Sequence, residues 1–392
     1  MRLSFRDGKA VEESAVAHSG YAASRQQIPP FDRNGKALGE ARRPLYVGSV
    51  ISCRHRSFAI IAYHIKPTLL FERLHMSSSE FLAPVPPDQP AAPPPNTVFR
   101  GPHGLRAGWR ALLFLAIVAA IPLTFSLLIG IVFGLFRRGG VRPTLGVSGL
   151  TPLGLSISEG AILLDTVIAA FIMARIERRR FGVYGLPLGS AFGKNFGIGV
   201  LVGFLSISGS LLGIFAFHGF RLTGLAIHRD TIISATLAWT ATFILVGLAE
   251  EFAFRGYLQY TLTTGMGFWP SAVLLSICFG LAHAGNPGES KFGLIAVVLF
   301  ALLFCLFLRR TGNLWWAVGF HTGWDWGQTF FYGVPDSGIP PYHNLFNSSF
   351  SGNAWLTGGK VGPEASIFTP IVLGVVAILF ASLYRENRYQ AP

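Results

Sequence analysis

"LVGLAEEFAFRGYLQ", residues 245–259, closes an apolar run that begins near Ile232 and places Glu250, Glu251 and Arg255 within six positions. A run of roughly 18 or more apolar residues with few charges reads as a membrane-spanning helix. The chain has eight such candidates: 109–136, 155–174, 194–217, 232–252, 267–285, 291–308, 313–333 and 366–384. Gly or Ser interrupts several of them, as is common where membrane helices pack closely. The 392 residues are 51% hydrophobic and only 13% charged, whereas soluble domains are about a quarter charged. The expected fold is therefore all-α, a polytopic membrane protein with about eight transmembrane helices in one bundle.

The net charge of +13 does not point to nucleic acid. Most Arg residues sit in short loops at helix ends, as in "FRRGG", "ARIERRR" and "FLRRTGN", where they set topology and contact phospholipid. No basic stretch interleaves aromatics for base stacking. The Lys/Arg balance favours both termini on the cytoplasmic side, with the runs at 175–180 and 309–310 inside. Cys53, Cys278 and Cys305 show neither metal nor disulfide spacing.

Residues 1–75 are basic and carry no spanning segment, which reads as a disordered extension. A Pro-rich cytoplasmic leader occupies 76–108 and opens with "MSSSEFLAPVPPDQPAAPPPN" (76–96). Because that leader begins on Met76, a translation start called too early is an equal expectation for 1–75. Residues 109–392 form one membrane domain without an internal repeat. "RRRFGVYGLP" (178–187) belongs at the inner interface, and Pro363 and Glu364 suit the first turn of the closing helix.

Ionisable groups inside apolar helices cost free energy and are functional candidates by default. Glu251 and Arg255 are four apart, share a helix face and can pair. Glu250 is turned about 100° from Glu251 and has no partner in its own helix. The asymmetry suggests one structural glutamate and one working glutamate. "FGLAH" puts Phe279 and His283 on one face of the fifth span, and "HTGWD" puts His321 and Asp325 on one face of the seventh. With a turn near Gly265 and a rise of ~1.5 Å per residue, Glu250 and His283 fall within about 5 Å of the same depth. A carboxylate base, imidazoles that hold water or metal, and a polar group for developing charge suit hydrolysis.

These three clusters resemble the signature of the CPBP (ABI) family, the CAAX-protease and bacteriocin-processing intramembrane proteases: EExxxR, then FxxxH, then HxxxN or HxxxD. Here they read "EEFAFR" (250–255), "FGLAH" (279–283) and "HTGWD" (321–325), in order on successive apolar segments. The resemblance implies a CAAX prenyl protease type II-like peptidase in which Glu250 activates water and His283 helps hold it. His321 and the residue four later would stabilise the oxyanion, while Glu251 and Arg255 support the site. It also implies a multi-pass protein of the bacterial inner membrane acting on a peptide or membrane-protein substrate. In the eukaryotic branch the last motif residue is Asn, a donor; Asp325 cannot donate when ionised. Protonation, orientation of His321 and metal binding stay open for it. No HExxH motif occurs, so a two-histidine zinc site on one helix is not indicated. A divalent metal such as zinc stays open, and the reading leans to a metal-independent glutamate mechanism.

Two other function classes compete. One is a non-catalytic family member, a scaffold or bacteriocin-immunity-type membrane protein, against which the intact set of Glu250, His283 and His321 argues. The other is a proton-coupled transporter using the same groups as a relay, for which duplicated halves would be expected.

Overall fold

The computed structural model describes residues 98–101, 104–135 and 151–390. The expectations for 1–75 and for the Pro-rich stretch 76–96 lie outside these residues. The helices that position the site are α1 Ala107–Leu135, α2 Pro152–Ile176, α3 Lys194–Ala216, α4 Ile232–Arg255, α5 Tyr257–Met266, α6 Phe268–Ala282, α7 Lys291–Thr311, α8 Trp315–Asp325 and α9 Phe368–Leu383. A π-helical turn, Trp326–Phe331, prolongs α8.

Each of the eight apolar stretches contains a helix, but the described residues hold five that are long and apolar enough to cross a membrane. These are Ala107–Leu128, Pro152–Ile176, Lys194–Ala216, Arg229–Met266 and Lys291–Thr311. Helices α6 and α9 are apolar but shorter, with 15 and 16 residues. The protein is thus a helical, multi-pass membrane protein, with five rather than eight elements of spanning length among the described residues.

Local chemistry explains several boundaries. Pro152 opens α2 where its missing N–H costs nothing, and Thr151 Oγ1 accepts a 3.0 Å bond from the Gly154 N–H. Ser290 caps α7 in the same way through the Gly293 N–H, and Gly312 ends it in the left-handed region at φ +77°. The fourth apolar stretch does not run straight to a turn at Gly265. It breaks at Gly256, where a Cβ would collide with the Phe252 carbonyl oxygen, and resumes as α5. The reversal comes at Gly267, φ +85°. Gln259 locks α5 to α6 by donating to the Phe268 carbonyl (3.1 Å) and Ser271 Oγ (2.9 Å).

The tightest helix pair is α3 with α8. Gly199 and Gly203 on α3 face Gly319 and Gly323 on α8, two small-xxx-small pairs in contact. A Cβ at Gly199 would stand 2.5 Å from the Trp316 carbonyl oxygen. At Gly203, Gly319 or Gly323 it would collide with the backbone of Phe320, Phe196 or Val200. A third approach brings α4 to α8: a Cβ at Gly247 would lie 3.0 Å from the Val318 oxygen and 3.5 Å from His321 Cβ. Small residues thus set α8 between α3 and α4 and direct His321 at α4.

One end of the bundle is basic. There Arg110 pairs with Glu177, which also accepts from Tyr257 and meets Arg179 at 3.2 Å. Arg310 donates to the Arg385 carbonyl and Asn387, and Tyr389 rests on Phe268. The "RRRFGVYGLP" segment lies at this end too, its Gly185 oxygen accepting from the Leu314 N–H at 2.8 Å.

The all-α expectation needs one amendment away from that end. Strands β1 (Phe220–Leu225) and β2 (Phe346–Phe350) pair antiparallel, Phe220 opposite Phe350 and Leu225 opposite Phe346. They tie the α3–α4 connection to the long segment between α8 and α9. Pro363 and Glu364 occupy a separate 3₁₀ turn, Pro363–Ala365, and the closing helix begins only at Phe368. Glu364 therefore does not cap that helix; its carboxylate turns inward and accepts from the Ser337 N–H (3.1 Å) and Oγ–H (3.3 Å).

Candidate active site

Helix α4 ends in the acidic pair that interrupts its apolar run. Glu251 and Arg255 side chains are both fully buried and meet at 3.2 Å, as one-turn spacing requires. Three phenyl rings enclose the guanidinium: Phe279 at 4.4 Å from its centre, Phe304 at 5.6 Å and Phe254 at 5.9 Å. Aromatic faces and a carboxylate together offset the cost of a buried cation. Phe279 of "FGLAH" is therefore a wall of the Arg255 cage as well as the residue one turn before His283.

Glu250, the next residue round the helix, points elsewhere. It lines a cavity of about 340 Å³ together with His283, His321 and Asp325. Glu251 and Arg255 are not part of this lining; they sit behind it. Thus four of the six residues singled out from sequence face one cavity, and the other two form the ion pair supporting it.

The two histidines differ in what fixes them. His283 follows the last residue of α6, and its Nδ1 lies 2.8 Å from the Phe279 carbonyl oxygen. A carbonyl only accepts, so Nδ1 carries the proton, and in the neutral ring Nε2 is left as an acceptor. His321 stands among three carboxylates. Its Nδ1 is 3.2 Å from Glu251 Oε1, and its Nε2 is 3.4 Å from Asp325 Oδ2 and 3.7 Å from Glu250 Oε2. Phe304 stacks on its ring at 5.4 Å. Glu251 consequently links Arg255 to His321, and a single buried oxygen orients both.

Sequence reasoning missed five polar residues of the cavity: Glu159, Asn286, Asp336, Ser337 and Glu364. Glu159 had a signal, being a carboxylate inside the apolar α2, and the rule that singled out Glu250 applies to it equally. Asp336 and Glu364 had none, because they sit in a loop and a 3₁₀ turn that only the fold brings under the helices. Burial pushes the carboxyls of both above their ordinary range, Glu364 further through the nearby Asp336. Two carboxyls this close oppose each other's ionisation.

Among the described residues, the group whose ligand atoms converge is Asp325, Asp336 and Glu364, within 4.8 Å of one another. An all-carboxylate set suits a hard cation; zinc prefers nitrogen and sulfur. Zinc also takes histidine nitrogen together with carboxylate oxygen, and Glu250, His283 and His321 line the same cavity, so the lining offers donors of both kinds.

Residues 232–327 match the family model described as Type II CAAX prenyl endopeptidase Rce1-like. This segment is similar to that family. It runs from the first residue of α4 into the π turn after α8 and contains all three motif clusters. No curated protein matches the chain. The matched segment therefore comprises the helices that carry Glu250, His283 and His321, while Glu159, Asp336 and Glu364 come from outside it.

Proposed function

We propose that the protein is an intramembrane endopeptidase that hydrolyses a peptide bond in a membrane-associated peptide or protein. The observation that carries this reading is the convergence of Glu250, His283 and His321, from α4, the end of α6 and α8, on one cavity among apolar helices. Glu250 removes a proton from water and the resulting hydroxide adds to the peptide carbonyl carbon. His283 Nε2, free to accept, holds the second water proton. His321 is held at Nδ1 by Glu251, and its Nε2–H, oriented by Asp325 before substrate binds, passes to the oxyanion. The intermediate collapses as the C–N bond breaks, and the proton on Glu250 passes to the leaving amine. Asp325 thus acts through His321, which accommodates a carboxylate where the eukaryotic branch has an amide. The proposed setting is the bacterial inner membrane with the basic end cytoplasmic.

The test uses the full chain in detergent with peptide mixtures, and Glu250→Gln as the control. Cleavage by the wild type, reduced about 10²–10⁴-fold in Glu250→Gln, is expected. Proton-coupled uptake into sealed vesicles without any cleavage would instead establish the transporter reading.

A further inference from the structure

The same cavity has two chemically distinct walls. One is apolar and aromatic, built from Phe279, Val297, Phe300 and Phe304 on α6 and α7. The other is acidic, with carboxyls from five separate elements: Glu159, Glu250, Asp325, Asp336 and Glu364. No Lys or Arg among the described residues lines it. His321 lies against Glu250 and Asp325, while three carboxyls of the lining make no ion pair among the described residues: Glu159, Asp336 and Glu364.

Glu159 is the telling member. It belongs to α2, a different helix from the converging trio, and its side chain is nine-tenths buried at 9% exposure. Its Oε2 has no hydrogen-bond partner among the described residues, yet the residue lines the cavity. A buried carboxyl without a partner is costly unless a ligand completes it. A hydrogen-bond donor entering this cavity meets that need, and a cationic donor meets it best.

Resting on the peptidase reading, we propose that the cavity selects substrates with a basic side chain beside the scissile bond, its stem on the aromatic wall and its charged head among Glu159, Asp336 and Glu364. A lysine side chain has this form, with four methylenes ending in three donors. The aromatic rings add attraction for the charge as it passes. An acidic side chain in the same place meets like charge and is excluded.

The experiment offers the full chain in detergent a library of apolar peptides. Each position is occupied in turn by Lys, norleucine or Glu, and the cuts are read by mass spectrometry. Lys is expected at a fixed distance from the cut, with kcat/KM at least about tenfold above norleucine, as a charge-assisted contact supplies. Asp336→Asn and Glu364→Gln should each lower that ratio toward one. A wild-type measurement independent of folding accompanies them: butylammonium should inhibit cleavage of the norleucine peptide at concentrations where 1-butanol does not. Cleavage with Lys and norleucine within about twofold overturns the inference and leaves the peptidase reading standing. A rise in melting temperature with Ca²⁺ or Mg²⁺ that Asp336→Asn abolishes assigns the acidic wall to a metal ion and also overturns it. No cleavage of any peptide by folded wild type overturns the peptidase reading and the inference with it.

Discussion

Glu250 and Glu251 are adjacent in sequence, chemically identical and placed in opposite circumstances. Glu251 is buried against Arg255 and His321, whereas Glu250 faces the cavity with its side chain 23% exposed. Replacement should separate them. Glu250→Gln is expected to fold with an unchanged melting curve and to lose cleavage by about 10²–10⁴-fold. Glu251→Gln leaves Arg255 without its carboxylate and should cost about 3–5 kcal/mol of stability, with loss of activity as well. Adding Arg255→Met should restore part of that stability without restoring turnover. Melting curves and cleavage rates of the three variants in one detergent decide it; equal destabilisation by both glutamines would dissolve the distinction. A second residue-scale expectation concerns Glu364. Its carboxyl is held above the ordinary range in the folded protein, so the stability it contributes is complete at low pH and lost as pH rises through its folded value. The wild-type melting temperature should decline as pH rises above the ordinary carboxylate range, and the Glu364→Gln profile should be flatter.

At the scale of elements, the position of His321 depends on residues that lack side chains. Helix α8 can deliver His321 to Glu251 because Gly319 and Gly323 let it lie against α3 and Gly247 lets it approach α4. Gly323→Ala puts a methyl into the Val200 backbone and forces the two helices apart. Overpacking of this kind costs about 1–3 kcal/mol. The variant should melt lower and lose cleavage although no polar group of the site is altered. Gly197→Ala, also on α3, meets nothing within 4 Å and should match the wild type in both measurements. If both variants behaved alike, close approach of α3 and α8 would not be what places the site.

For the whole molecule, the basic end is where α1 begins, where α2 and α7 end, and where residues 385–389 return. Arginines scattered through the sequence are thereby gathered at one side, which the charge rule assigns to the cytoplasm. In otherwise Cys-free protein, Arg179→Cys and Arg310→Cys should resist a membrane-impermeant thiol reagent in intact cells and react after lysis. Labelling of both in intact cells would show the inverted orientation.

The long apolar runs, the clusters EEFAFR, FGLAH and HTGWD, and the Glu251–Arg255 pair were all legible in the sequence. Each depends on hydrophobicity or on one-turn spacing, and those are local properties of a helix. The glycine pairs GIGVLVG and GFHTG were equally visible, but which helix faces which is a choice among partners that no single helix encodes. The strand pairing of Phe220–Leu225 with Phe346–Phe350 joins residues more than a hundred positions apart, and the alternation of Phe220–Thr223 is too short to name its partner. Glu364 shows the limit most plainly. Beside Pro363 it carries a helix-start signature, and the chain instead forms a 3₁₀ turn that points its carboxylate at Ser337. Local chemistry determined that this is a helical membrane protein whose two adjacent glutamates face different ways. Only packing decided that five carboxyls share one cavity, because burial and long-range proximity arise from the assembled helices.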